Sequence, residues 1–271
     1  MDVTFKGFVM IFVSKKYTFM CLYLCALLLS TLALSSSSGI QKAHDTLSTL
    51  LKNRNTDMQH YIDQAAAFAR EQKTVSSGHD WWHTYRVWQM AKKIHEHEGG
   101  NILVIELAAL LHGIDNHKFH NGDLLVGAKT AQAFLESIHV PKDIIESVYD
   151  IVATCSFKGA ADTSEMKTLE GNIVQDADRL DAMGAMGIAR TFAYAGYKNH
   201  AMYDPEKPYK QHASFEEYSK NDGSAINHFY EKLLVLKDRL NTKTARAIAE
   251  KRHAYMEEFL EQFYGEWEAT R

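Results

Sequence analysis

Apolar residues in this chain recur at intervals of three and four, and almost nowhere at intervals of two. Across residues 83–95, Val87, Met90, Ala91 and Ile94 fall on one helical face. Residues 58–71 repeat the pattern with Tyr61, Ala65 and Phe68, and residues 101–112, 127–138, 142–153, 178–194, 226–240 and 243–267 continue it. Only three prolines occur in 271 residues, and Pro141 stands at a helix start, where proline is tolerated. Alternating segments rich in Val, Ile and Thr, the mark of strands, are scarce. The predicted fold is therefore all-α: a single compact helical domain preceded by an N-terminal hydrophobic segment. The charged residues 200–224, with Pro205 and Pro208, are expected to run over its surface.

Ahead of the body the composition changes. Residues 1–39 read as a signal peptide or single membrane anchor, residues 40–57 as a polar linker with a marginal helix near 47–51, and residues 58–271 as the folded domain. Residues 17–34 carry no charge, follow Lys15 and Lys16, and precede the serine run from Ser35 to Ser38. That length suits a long signal-peptide core and a short membrane span equally. Ala33-Leu34-Ser35 offers a small-x-small cleavage pattern; retained, residues 17–34 would contact the membrane with the N-terminus on the cytoplasmic side. Membrane anchoring or the secretory pathway is thus expected, and translation from an internal Met such as Met58 would instead leave a cytoplasmic protein. Cys21 and Cys25 belong to the apolar stretch, which leaves Cys155 alone in the body and rules out an intramolecular disulfide framework there. The first 39 residues are net positive, so the body is more acidic than the formal charge of −4 for the whole chain. Nucleic acid is not an expected partner of such a body, because phosphate-backbone binding needs concentrated Lys and Arg.

Three polar residues stand on faces that are otherwise apolar. His83 lies four residues before Val87 and seven before Met90; His112 shares a face with Ile105, Ala108 and Ala109; Asp178 shares one with Ala182, Ala185 and Ala189. Singly, each has an ordinary explanation. A lone histidine on an apolar face is more often a hydrogen-bonded core residue than a ligand, and Asp178 or Asp176 could cap a helix. Together they are harder to explain, since every buried polar group needs a partner, and a divalent metal would partner all three. Nearby, Arg179 is expected to anchor helices through Asp176 or Asp181.

Spacing alone does not group residues 83, 112 and 178, but a resemblance does. The segments GHDWWHTYRV (from Gly78), ALLHGIDNHKF (from Ala109), QDADRLDAMGAMGIART (from Gln175) and INHFYEKLLVLKDRLNTKTA (from Ile226) resemble the HD-domain metal-dependent phosphohydrolases over nearly the whole body. The family's ligands are a His, a His-Asp pair and a distant Asp. By register on those segments the resemblance implies His83, His112 and Asp178 as metal ligands, with Asp176 the alternative for the last. The pair itself reads His112-Gly113, so Gly113 occupies the place of the Asp. Two readings stay open: Asp115, three residues past His112, substitutes for the missing carboxylate, or the metal is loosely held or lost.

The resemblance implies hydrolysis of a phosphate ester or pyrophosphate bond with Mn²⁺ or Mg²⁺, or another transition metal, as cofactor, and a small phosphorylated molecule, foremost a nucleotide, as substrate. Asp115 and Lys118 are the expected catalytic groups, and Arg86, Lys118 and Lys158 are expected to hold phosphate charge. His117 and His120 are candidate proton carriers near neutral pH. The competing expectation is a degenerate HD-type domain without strong metal binding or catalysis, serving as a nucleotide-binding or interaction module.

Overall fold

Helix follows helix through this computed structural model, which describes residues 37–72, 80–114, 125–155, 165–210 and 223–271. The helices are α1 (Ser37–Gln72), α2 (Trp81–Glu98), α3 (Ile102–Leu111), α4 (Val126–Ser137), α5 (Lys142–Thr154), α6 (Leu169–Asp181), α7 (Gly184–Tyr197), α8 (Ala225–His228) and α9 (Lys243–Trp267). From α8 the chain winds on through a π-helical turn, Phe229–Leu233, and a 3₁₀ stretch, Leu234–Arg239. No strand occurs among the described residues, and the architecture is the all-α one expected.

Local chemistry sets most of the helix starts. Asp80, Asn101, Thr168, Ser224 and Thr242 each accept a backbone N–H of the following turn, relieving a donor that has no partner inside the helix. Pro141 stands directly before α5, with its φ already near the helical value.

Three segments depart from the sequence expectations. Residues 40–57 are part of α1 rather than a linker; nothing between Ile40 and Gln72 is Gly or Pro, so no residue there interrupts the helix. The helix expected over 178–194 is two helices, α6 and α7, broken at Ala182–Met183, where Gly184 takes a positive φ of 69°. Asp178 therefore ends one helix instead of beginning another. The helix expected over 226–240 is the composite of α8, π turn and 3₁₀ stretch. The apolar residues 17–34 lie outside the described residues, and no described helix is long and apolar enough to cross a membrane.

Residues 1–59 and 60–271 form two separate units. In the first, α1 is mostly exposed, and Thr46 and Thr49 donate to the carbonyls of Lys42 and Asp45 one turn back. In the second, α3 is the central element. Every residue from Leu103 to Leu111 is buried, because α2, α5 and α6 pack around it. A helix apolar on all sides has no other stable place than a core. Leu107, Leu110 and Leu111 are fully enclosed, each worth about 1.5–3 kcal/mol of burial. Helix α4 pairs with α5, and α9 lies against α7, α6 and α2. The stretch of α1 beyond His60 meets α4 through Phe68 and Phe134, whose rings stack at 4.1 Å.

Candidate metal centre

Three helix ends meet in the core of the second unit. His83 is in the first turn of α2, fixed by its own backbone N–H, which donates to the capping carboxylate of Asp80 at 2.9 Å. His112 directly follows the last residue of α3, and Asp178 lies in the last turn of α6. Their ligating atoms lie within 4.8 Å of one another. The two Nε2 atoms are 3.3 Å apart, and Asp178 Oδ1 is 3.4 Å from His83 Nε2 and 3.8 Å from His112 Nε2. Both histidines are buried, and Asp178 keeps part of its side chain accessible. The carboxyl ends of α3 and α6 both point here, adding negative potential against a single positive end from α2.

The partners of the outer ring nitrogens decide where the imidazole protons sit. His83 Nδ1 is 2.7 Å from the carboxylate of Asp181, and His112 Nδ1 is 2.6 Å from the carbonyl of Ala109. Both of those oxygens only accept, so Nδ1 is the donor in each ring and Nε2 carries the lone pair. Two lone pairs and a carboxylate oxygen thus face one another in a buried space. Such a set of acceptors is unfavourable unless a cation or shared proton stands among them, and its N/O donors suit a divalent metal.

Burial alone would raise the Asp178 carboxyl, but the charges of Arg190 and Lys232, and of His112 and His83 when those rings are protonated, outweigh it and hold the group below its ordinary value. Asp181 is buried too, yet hydrogen bonds from His83 and Arg86 and the charge of Arg190 hold its carboxyl well below the usual range. Burial draws the ammonium of Lys232 down to about 8, against the opposing pull of Asp178.

The alternative last ligand, Asp176, is engaged elsewhere. It is fully buried and accepts from the backbone N–H and side-chain amide of Asn241 and from the backbone N–H and hydroxyl of Thr242, all within 2.7–2.8 Å. Those bonds seat the start of α9. Arg179 is bound to the carbonyl of Arg239. Arg86 is placed against Asp181, with Nε at 2.7 Å and Nη2 at 3.0 Å. Asp115, His117, Lys118, His120 and Lys158 lie outside the described residues.

Sequence reasoning does not single out Asp181, Arg190 or Lys232 as part of this site. For Asp181 a signal exists: it stands three residues past Asp178 and so shares its helical face, as Arg86 shares that of His83. Arg190 and Lys232 arrive from other elements and leave no such trace.

Comparison with known proteins places this geometry. The HD domain family matches residues 81–183, a span that holds all three converging residues. YpgQ of Bacillus subtilis is 39% identical over 188 residues, covering 69% of this chain and 83% of YpgQ. The crystal structure of YpgQ in complex with ADP superposes with a TM-score of 0.60 at 32% identity, covering 78% of this chain and 96% of that one. That of an HD-superfamily hydrolase from Bacillus thuringiensis superposes with a TM-score of 0.61 at 43% identity, covering 78% and 99%.

Proposed function

We propose, on the premise that this chain belongs to the HD domain family, that its body is a metal-dependent phosphohydrolase acting on a phosphate ester or pyrophosphate bond of a nucleotide. The observation that carries the proposal is the convergence of two imidazole nitrogens and one carboxylate oxygen within 4.8 Å. His83, His112 and Asp178 would hold the cation, with Mn²⁺ or Mg²⁺ the favoured identities. When bound, a divalent ion supplies Lewis acidity toward a phosphoryl oxygen and acidity to water.

The chain's own groups supply the rest. Lys232 stands within electrostatic reach of Asp178 and offsets phosphate charge on the described side of the site. Arg86, whose side chain is 30% exposed, keeps Nη1 for the same purpose. Lys118 and Lys158 are proposed as further phosphate contacts, and Asp115 and Lys118 as catalytic groups. A nucleotide as the substrate is supported by the ADP found with YpgQ. Residues 17–34 are proposed to direct the body to a membrane or the secretory pathway.

A second reading rests on Gly113. A carboxylate beside His112 would add a ligand and a negative charge, and without it the affinity for a cation falls unless another group replaces it. In that reading the body binds nucleotide without turning it over. The two separate by experiment. Purified protein is assayed for Mn²⁺ uptake and for release of phosphate or pyrophosphate from nucleoside di- and triphosphates. Uptake with turnover, both abolished in His83→Ala and Asp178→Ala, supports the enzyme. Nucleotide binding without turnover supports the second reading, and neither binding nor turnover overturns both.

A further inference from the structure

Behind the three converging residues stands a second layer of charged groups. Asp181, the last residue of α6, is 5% exposed and accepts from four directions. His83 Nδ1 lies 2.7 Å from Oδ2; Arg86 reaches Oδ1 with Nε at 2.7 Å and Oδ2 with Nη2 at 3.0 Å; Arg190 Nη1 reaches Oδ2 at 3.0 Å. Arg190 also donates to the Asp181 carbonyl at 3.1 Å, so it holds the residue by backbone and side chain together. A carboxylate gripped by the planar fork of Arg86 and by one nitrogen of Arg190 has little freedom to rotate.

His112 is held differently: its Nδ1 rests on the carbonyl of Ala109. The two imidazoles are therefore oriented by unlike means, one by a neutral backbone group and one by a buried anion inside a cationic clamp. An anion behind an imidazole fixes the Nδ1–H tautomer, aims Nε2 and raises its basicity toward a cation.

We infer that Asp181, held by Arg86 and Arg190, is the positioning residue that fixes the ring of His83 for metal binding. This rests on the metal reading above and adds to it a specific assignment: Asp178 acts at the cation, and Asp181, three residues on, acts through His83. Arg190, from α7, makes the arrangement depend on the helix that comes after the break at Ala182–Met183.

Two measurements test it. The first is the tautomer of His83 in EDTA-treated wild-type protein, read from the ¹⁵N shifts of the imidazole nitrogens and assigned with His83→Gln. A proton on Nδ1 is expected, and a proton on Nε2 overturns the inference whatever any variant does. The second is Mn²⁺ affinity by equilibrium dialysis. Asp181→Asn should lose about 10–100-fold in affinity, the scale on which such supporting partners act. Its His83 ring should also populate both tautomers, which a merely structural lesion in a folded protein would not produce. Should Asp181→Asn fail to fold, Arg86→Gln keeps the carboxylate and removes the fork, with a loss of several-fold expected. Uptake in folded Asp181→Asn, or in Arg86→Gln where that stands in for it, equal to wild type overturns this inference and leaves the metal reading intact. A wild-type protein that takes up no Mn²⁺ overturns both.

Discussion

Gly113 follows His112 in the turn after α3, and its backbone does not require glycine. Among the described residues the glycines with positive φ are Gly99, Gly100 and Gly184. Gly113→Asp should raise Mn²⁺ affinity by adding a carboxylate beside His112. Calorimetric titration checks this, and an unchanged affinity would point to Asp115 as a complete substitute. The Asp181 carboxyl carries a second prediction. Its proton is held more weakly in the folded protein than in the unfolded chain. The stability it contributes is thus complete above about pH 4 and is lost as pH falls below that, toward the lowered folded value. Urea unfolding of the EDTA-treated protein should show this acid loss, and Asp181→Asn should show less of it. Residue by residue, His83 and His112 were legible as polar interruptions of apolar faces. Choosing between Asp176 and Asp178 was not possible, because their difference lies in Asn241 and Thr242, some 65 positions away.

At the scale of elements, Asp176 connects α6 to the start of α9, where it serves the same turn as the capping Thr242. Removing it leaves buried donors without partners, so Asp176→Ala should destabilise the fold by about 1–3 kcal/mol or more. Its folded fraction should bind Mn²⁺ as wild type does. Denaturant melts combined with dialysis separate the two effects, and lost binding in a folded variant would return Asp176 to the ligand set. The helices expected from 101 and 243 begin within one residue of α3 and α9, because the apolar period itself starts there. The break between α6 and α7 was not legible, since Asp178 and the alanines after it keep a helical period straight across it. Gly184 was the available sign, as its φ of 69° is a conformation glycine adopts without strain. Gly184→Val should cost stability for that reason and because Arg252 packs against the space a Cβ would enter. A drop in Tm of several degrees is expected for about 1–2 kcal/mol, measured by thermal unfolding.

At the scale of the molecule, the candidate centre ties α2, α3 and α6, the central helix and two of those packed around it. A cation bound only when those three ends are assembled stabilises the whole second unit. Mn²⁺ at a hundred times its dissociation constant should add about 2.7 kcal/mol, and EDTA should reverse the gain in Tm. His83→Ala should abolish the metal-dependent part, while a rise in Tm that persists in that variant would place the ion elsewhere. The all-α class was legible at this scale because the helical period repeats through most of the body. The mutual placement of the three ends was not, since residues 83, 112 and 178 share no spacing; only the resemblance joined them.

The π-helical turn Phe229–Leu233 has a consequence for how this chain tolerates change over generations. A π turn is in effect one residue inserted into a helix. Loss of any single residue there would restore an ordinary winding and swing the downstream chain by about 100° around the axis. Where the lost residue precedes Lys232, the lysine's ammonium would turn away from Asp178, although every side chain in the neighbourhood except one would still be present. A tract that accepts substitutions but not a change of length is the expected evolutionary signature, visible as ungapped alignment through residues 229–233 among relatives that remain active.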